Sequence, residues 1–187
     1  VLLRSQGTNI FKAAKDNGIY IPGLCYHPKL TQYGGCRLCM VEVTERGRSR
    51  HRFSCAQPVA EGMVVKTKTP ETEKYTKSVM EYLLAHHPLD CPTCDKSGEC
   101  GLQEITHDLK LKPGRFKSAR LDEPTRRDNP LLEYNSNRCI LCSRCVKVCK
   151  EIAGVGAIDY QNRGFQTVIG TAFDKPLDCS FCGTENE

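Results

Sequence analysis

The thirteen cysteines of this chain fall into groups with different internal spacings, and no other feature constrains its fold as strongly. The first group is Cys25, Cys36, Cys39 and Cys55, with short "CRLC" spacing at its centre. The second lies in "HHPLDCPTCDKSGEC", residues 86 to 100, where two adjacent histidines precede Cys91, Cys94 and Cys100. The third opens with Cys139, Cys142, Cys145 and Cys149 and is followed by Cys179 and Cys182. Thiols grouped in this way signal either disulfides or metal. The start, "VLLRSQGTNIF", lacks a basic segment followed by a long apolar run, so no export signal is read and a reducing cytoplasm is expected. There, clustered cysteines mean metal.

With 187 residues the chain has room for one or two ordinary domains, or for three small modules stapled by something other than apolar burial. Residues 1 to 68 read as a small α/β module. "VLLR" predicts a strand. Thr8 or Asn9 caps a helix through Lys15, and Gly18 suits its C′ position. Val41 and Val43 alternate with Glu42 in a hairpin that turns at "ERGRS", and "GMVVKTK" supplies the last strand.

Residues 69 to 120 read as mainly helical. Thr69 is the N-cap, Pro70 the first helical residue, and Glu71 and Glu73 fall in the first turn. Tyr75, Val79, Tyr82 and Leu83 follow the helical period, widened by Met80 and Leu84, and predict the buried stripe. The segment 112–130, with three prolines, is a polar connector, and the last module occupies 121–187.

Four thiolates in the first group suit zinc or an iron–sulfur cluster. The neighbours favour the cluster. In "YGGCRLC", Gly34 and Gly35 let the loop come close and aim successive N–H groups at a negatively charged centre, and Gly34, Gly35 and Arg37 are the residues expected to touch the cofactor. Zinc sites usually pair their cysteines in two short knuckles, and only one short pair is present here. In the second group, His87 with Cys91, Cys94 and Cys100 makes a one-imidazole, three-thiolate set. His86 competes with His87 for that place, because neighbours at a helix end point about 100° apart. The third group has the C-x2-C-x2-C-x3-C spacing of bacterial ferredoxins, followed by Lys150 where proline is usual. A second such run starts at Cys179 and Cys182, but its third position is Glu185.

Together, "GIYIPGLCYHPKL", "GGCRLCMVEV", "SCAQPVAEGMVV", "HHPLDCPTCDKSGECGLQ" and "NRCILCSRCVKVC" resemble the N-terminal part of the large iron–sulfur subunit of respiratory complex I. They are also similar to subunits of NAD-reducing hydrogenases and to the N-termini of [FeFe] hydrogenases and NAD-dependent formate dehydrogenases. The resemblance implies an α+β chain made of a β-grasp [2Fe–2S] ferredoxin domain, a small helical [4Fe–4S] domain with one histidine and three cysteine ligands, and a ferredoxin-like [4Fe–4S] domain. It assigns Cys25, Cys36, Cys39 and Cys55 to the [2Fe–2S] cluster. It assigns His87, Cys91, Cys94 and Cys100 to the first [4Fe–4S] cluster, and Cys139, Cys142 and Cys145 to the start of a second. Cys149, with Cys179 and Cys182, leans toward the hydrogenase and formate dehydrogenase relatives and leaves open a third [4Fe–4S] cluster. Glu185 puts that cluster in doubt, and the final domain reads as cut short.

Other features have plainer readings. "GVGAID" lacks the third glycine of a dinucleotide fingerprint. "RGRSRHR" reads as a solvated hairpin tip, and His27, His51 and His107 as surface or packing residues. There is no P-loop, no triad, and no apolar run near the roughly 18 residues of a spanning helix. The formal charge of +5 falls once cysteines become thiolates, so no nucleic-acid partner is expected. The function expected is non-catalytic electron relay between a flavin subunit that oxidises NADH and a second redox unit, in a cytoplasmic complex held peripherally at the membrane through its partners. A zinc-stapled module binding nucleic acid or protein is the alternative. Elemental analysis separates the two.

Overall fold

The computed structural model describes residues 7–177 except 113, 117, 119, 128, 130 and 131. The expected strand at "VLLR", and Cys179, Cys182 and Glu185, lie outside the described residues.

The first helix, α1, spans Ile10–Asp16. Asn9, not Thr8, is its cap: the Asn9 side chain accepts the Lys12 N–H at 2.8 Å. Gly18 follows the helix with φ +70°, as the C′ position requires. Strands β1 (Met40–Glu45) and β2 (Arg48–Phe53) form a hairpin. Its two turn residues, Arg46 and Gly47, both have positive φ, which matches the right-handed twist of the strands. β3 (Val64–Lys66) pairs antiparallel with the other edge of β1, giving the order β2-β1-β3. Val41 and Val43 of the central strand bury against Ile10, Phe11, Ala14 and Ile21, together with Cys39 and Cys55. Each large apolar side chain there gains about 1.5–3 kcal/mol from leaving water.

α2 runs Pro70–His86. Thr69 caps it, and Thr72 returns a hydrogen bond to the Thr69 N–H. Its buried stripe differs from the expected one. Thr72, Thr76, Met80 and Leu84 face inward, whereas Tyr82 is exposed. The threonines pass as core residues because each hydroxyl bonds a carbonyl of its own helix: Thr72 to Thr69 and Thr76 to Thr72. Their methyl groups are then free to pack. A short 3-10 turn at Cys91–Thr93 follows, then α3 at Gly101–Asp108.

The connector 112–130 meets the last module through a bridge between Arg126 and Tyr134, whose backbones exchange hydrogen bonds of 2.8 and 3.0 Å. α4 (Arg144–Lys147) continues into a π turn at Val148–Ile152. Gly154 and Gly156, both at positive φ, end it, with the Val155 and Gly156 N–H groups on the Cys149 carbonyl. The "GVGAID" glycines therefore stop a helix. β4 (Ile158–Gln161) and β5 (Val168–Thr171) close the module as an antiparallel pair. Among the described residues no helix is long and apolar enough to cross a membrane.

A second apolar cluster gathers Leu24, Leu38, Met80, Leu84, Leu102 and Ile105 with Cys25 and Cys36, and Cys100, Ile140 and Cys142 pack against it. One cluster is thus shared by the loop before the hairpin, by α2 and α3, and by the ferredoxin-type run.

Candidate metal centres

The first cysteine set is assembled at the open end of the hairpin. Cys39 immediately precedes β1 and Cys55 lies just past β2. The Ser54 N–H and hydroxyl both bond the Cys39 carbonyl at 2.9 Å, which extends the pairing beyond the strands. Cys36 hangs from a loop that turns through Gly34 (φ +69°) and Arg37 (φ +59°). A Cβ at Gly35 would lie 2.1 Å from the Tyr33 ring, so this position tolerates only glycine unless the ring moves. All four cysteines are buried and none is in a disulfide.

Their thiols form two pairs. The Cys25 thiol donates to Cys36 and pulls it down to about 5 against the effect of burial, helped by the N–H groups of Leu24 and Leu38. The Leu24 nitrogen is 3.4 Å from the Cys36 sulfur. Cys55 likewise donates to Cys39, which is lowered to about 7 against the effect of burial, with the Cys55 N–H adding to the effect. Cys25 and Cys55 are pushed well up by holding those protons and by burial, and the Gly35 N–H partly offsets the rise at Cys25. Cys55 also feels the charges of Cys25 and Cys36, so the four sulfurs share one space. Like charges this close do not all ionise without a cation. The donor set fits an iron–sulfur core: thiols poised to become thiolates, with backbone N–H groups already aimed at them. Arg37, expected to touch the cofactor, places its guanidinium 4.9 Å above the Phe53 ring. Its backbone shapes the loop.

The second set lines a single cavity of about 270 Å³ between the end of α2 and the start of α3. His87, Cys91, Cys94 and Cys100 all border it, along with Leu84 and Leu102. His87 is the C-cap of α2, Cys91 opens the 3-10 turn, and Cys100 is the N-cap of α3. Gly98 (φ +87°) makes the turn between the last two cysteines. His86 does not border this cavity. Its ring meets Phe165 edge-on at 5.1 Å. Burial lowers the His87 pKa, and Arg138 and Arg120 push the same way against Asp90. The neutral imidazole so favoured is the form that binds metal. Among the described residues no three His, Cys, Asp or Glu side chains close on one ion position.

In the third set, Cys142 lies between Leu141 and Ser143, both left-handed at φ +52° and +67°. The Leu141 N–H points at the Cys139 sulfur at 3.4 Å. Cys145 is in α4, and Cys149 is buried on the π turn, its sulfur accepting the Ala157 N–H at 3.1 Å. Burial pushes the Cys139 thiol up, while the Leu141 N–H and the Tyr134 hydroxyl favour its thiolate. No spacing rule pairs a tyrosine with a ferredoxin run, so the sequence gives no sign of Tyr134 here.

Three family models match in chain order. The "2Fe-2S iron-sulfur cluster binding domain" matches residues 4–70, the "NADH-ubiquinone oxidoreductase-G iron-sulfur binding region" 77–115, and the ferredoxin-like domain of NADH-quinone oxidoreductase subunit 3 129–185. A chain in the crystal structure of NAD+-reducing [NiFe]-hydrogenase in the H2-reduced state is 32% identical, with a TM-score of 0.83 over 91% of this chain and 70% of that one. The chain belongs to the family of the large iron–sulfur subunit of complex I. Among curated members, it is 42% identical to NADPH-Fe(3+) oxidoreductase subunit alpha of Geobacter sulfurreducens over 179 residues, covering 96% of this chain and 21% of that protein. It is also 42% identical to the mitochondrial NADH-ubiquinone oxidoreductase 78 kDa subunit of Neurospora crassa, covering 95% of this chain and 24% of that subunit. The chain thus spans about a fifth to a quarter of the length of these two relatives. The zinc-stapled reading finds no support in any of these matches.

Proposed function

We propose that this chain relays electrons between an NAD(H)-linked flavin subunit and a second redox unit, either a hydrogenase or a quinone-reducing module. Cys25, Cys36, Cys39 and Cys55 would hold a [2Fe–2S] cluster in a β-grasp domain over residues 1–68. His87, Cys91, Cys94 and Cys100 would hold a [4Fe–4S] cluster in 69–120. Cys139, Cys142 and Cys145 would begin another in 121–187, with Cys149, Cys179 and Cys182 as the remaining thiolates for it or for a further cluster. When bound, such clusters supply one-electron couples whose potentials follow charge, hydrogen bonding and burial.

The observation that carries this reading is the shared apolar cluster. Cys25 and Cys36 belong to it, and Cys100 and Cys142 pack against it, so each of the three sets contributes a sulfur to one dry core. A chain that only stapled itself with metal would have no reason to gather its centres on a common medium. The residues between them, Leu38, Met80 and Leu84, exclude water and keep the local dielectric low. Gly34 and Gly35 shape the first loop, and the second set adds a neutral imidazole, which favours a higher potential than a fourth thiolate. The partners would dock peripherally to the membrane, since the relay itself requires no span.

The test is elemental and optical. Protein purified without oxygen should contain iron and acid-labile sulfide in equal amounts, absorb in the visible, and bleach on reduction. Bound zinc without sulfide would end this reading.

A further inference from the structure

The basic run "RGRSRHR" lies along an open edge of the first sheet. β2 is the outer strand of the order β2-β1-β3, and it is exposed from Arg48 to Arg52. In the register, Arg48, Arg50 and Arg52 stand opposite Glu45, Val43 and Val41 of β1. The three arginines therefore share the sheet face on which Val41 and Val43 are buried. The pair flanking a two-residue hairpin turn is the hydrogen-bonded one, so alternation along the ladder turns the N–H and C=O of Ser49 and His51 outward. Elsewhere basic side chains find carboxylates: Lys12, Lys66, Arg127 and Arg138 each hold one at 2.7–2.9 Å. Among the described residues, Arg48, Arg50 and Arg52 hold none. Glu42, on the other face of β1, is taken by Lys66.

We propose that this edge is a docking surface for an extended acidic segment of a partner protein, which adds to β2 as a further strand and presents carboxylates at alternate positions to Arg48, Arg50 and Arg52. The outward backbone groups of Ser49 and His51 give such a strand its hydrogen bonds. The planar guanidinium forks take carboxylates through paired parallel bonds. Spacing sets the match, because side chains two residues apart on either strand recur at about 6.8 Å. The same arginines keep a second copy of this chain off the edge, since they would face their own counterparts across it.

The test uses the full-length protein, purified without oxygen, and two fluorescent peptides of one composition. One has four Thr-Glu repeats; the other has four glutamates followed by four threonines. The alternating peptide should bind saturably and several-fold more tightly than the block peptide, and should slow hydrogen exchange in β2. Arg48→Gln, Arg50→Gln and Arg52→Gln together should weaken its binding about tenfold. The corresponding triple lysine variant keeps the charge and loses the forks, so it should fold as the wild type does and still bind the alternating peptide more weakly. If the glutamine variant fails to fold, the lysine variant decides, and undiminished binding there overturns the proposal. Equal affinity for the two peptides, or binding that leaves exchange in β2 unchanged, also overturns it. So does tighter, arginine-dependent binding to vesicles of phosphatidylglycerol and phosphatidylcholine, or to a single-stranded oligonucleotide.

Discussion

Asp90 and Arg138 form a 2.7 Å ion pair between two loops that carry different cysteine sets. Asp90 immediately precedes Cys91, and Arg138 immediately precedes Cys139. The guanidinium holds the Asp90 carboxyl below its usual range. One contact thus registers the second centre against the third. Arg138→Gln should alter the resonance signals of those two centres and leave the first unchanged. Its melting temperature should move little, because a single ion pair still open to solvent adds little stability. Signals of the second and third centres that match the wild type would show that the pair does not position them.

Met80 is fully buried in the cluster shared by the three sets. Met80→Ala should cost about 2–5 kcal/mol in an anaerobic denaturant titration. It should also lower cluster content at all three centres, because each set has a cysteine in or against the apolar cluster that Met80 fills. Loss confined to one centre would mean that the modules are energetically separate.

His87→Ala should remove one [4Fe–4S] signal and spare the [2Fe–2S] signal. His86→Ala should keep both and lose only the edge contact with Phe165. The reverse pattern would move the ligand role to His86.

Glu151 reaches from the π turn to the first module, accepting the Thr31 N–H at 2.8 Å and the Thr31 hydroxyl. Those bonds, with Lys147, hold its carboxyl down at about 2. A depressed carboxyl contributes fully above its unfolded value and is lost only as pH falls through the folded one. Across pH about 8 to 5.5, then, the contribution should be constant. Glu151→Gln should speed hydrogen exchange in the peptide bearing Thr31 by the same factor throughout that window. A difference that fades before about pH 5.5 would contradict this assignment.

Much of this is legible in the sequence, because local rules act over few residues. The Thr69 cap, the Gly18 stop and the hairpin with Val41 and Val43 inward all follow from neighbours in the chain. The apolar period places the stripe of α2 one residue away from its true centre, because Thr72 and Thr76 count as polar until their hydroxyls are seen bonded within the helix. The choice of His87 over His86 as the residue bordering the cysteine cavity depends on the end of α2, where a rotation of one residue decides. Nothing in the spacing of cysteines reveals that Cys25, Cys36, Cys100 and Cys142 meet one apolar cluster. That meeting is a tertiary contact between modules with separate signatures.

The most direct test of three independent centres is low-temperature resonance spectroscopy of the reduced, anaerobically purified protein beside its Cys39→Ser and Cys94→Ser variants. One [2Fe–2S] signal should disappear only in the first variant, one [4Fe–4S] signal only in the second, and a further [4Fe–4S] signal should survive both. A single signal abolished by either change, or a protein silent in resonance and loaded with zinc, would contradict it.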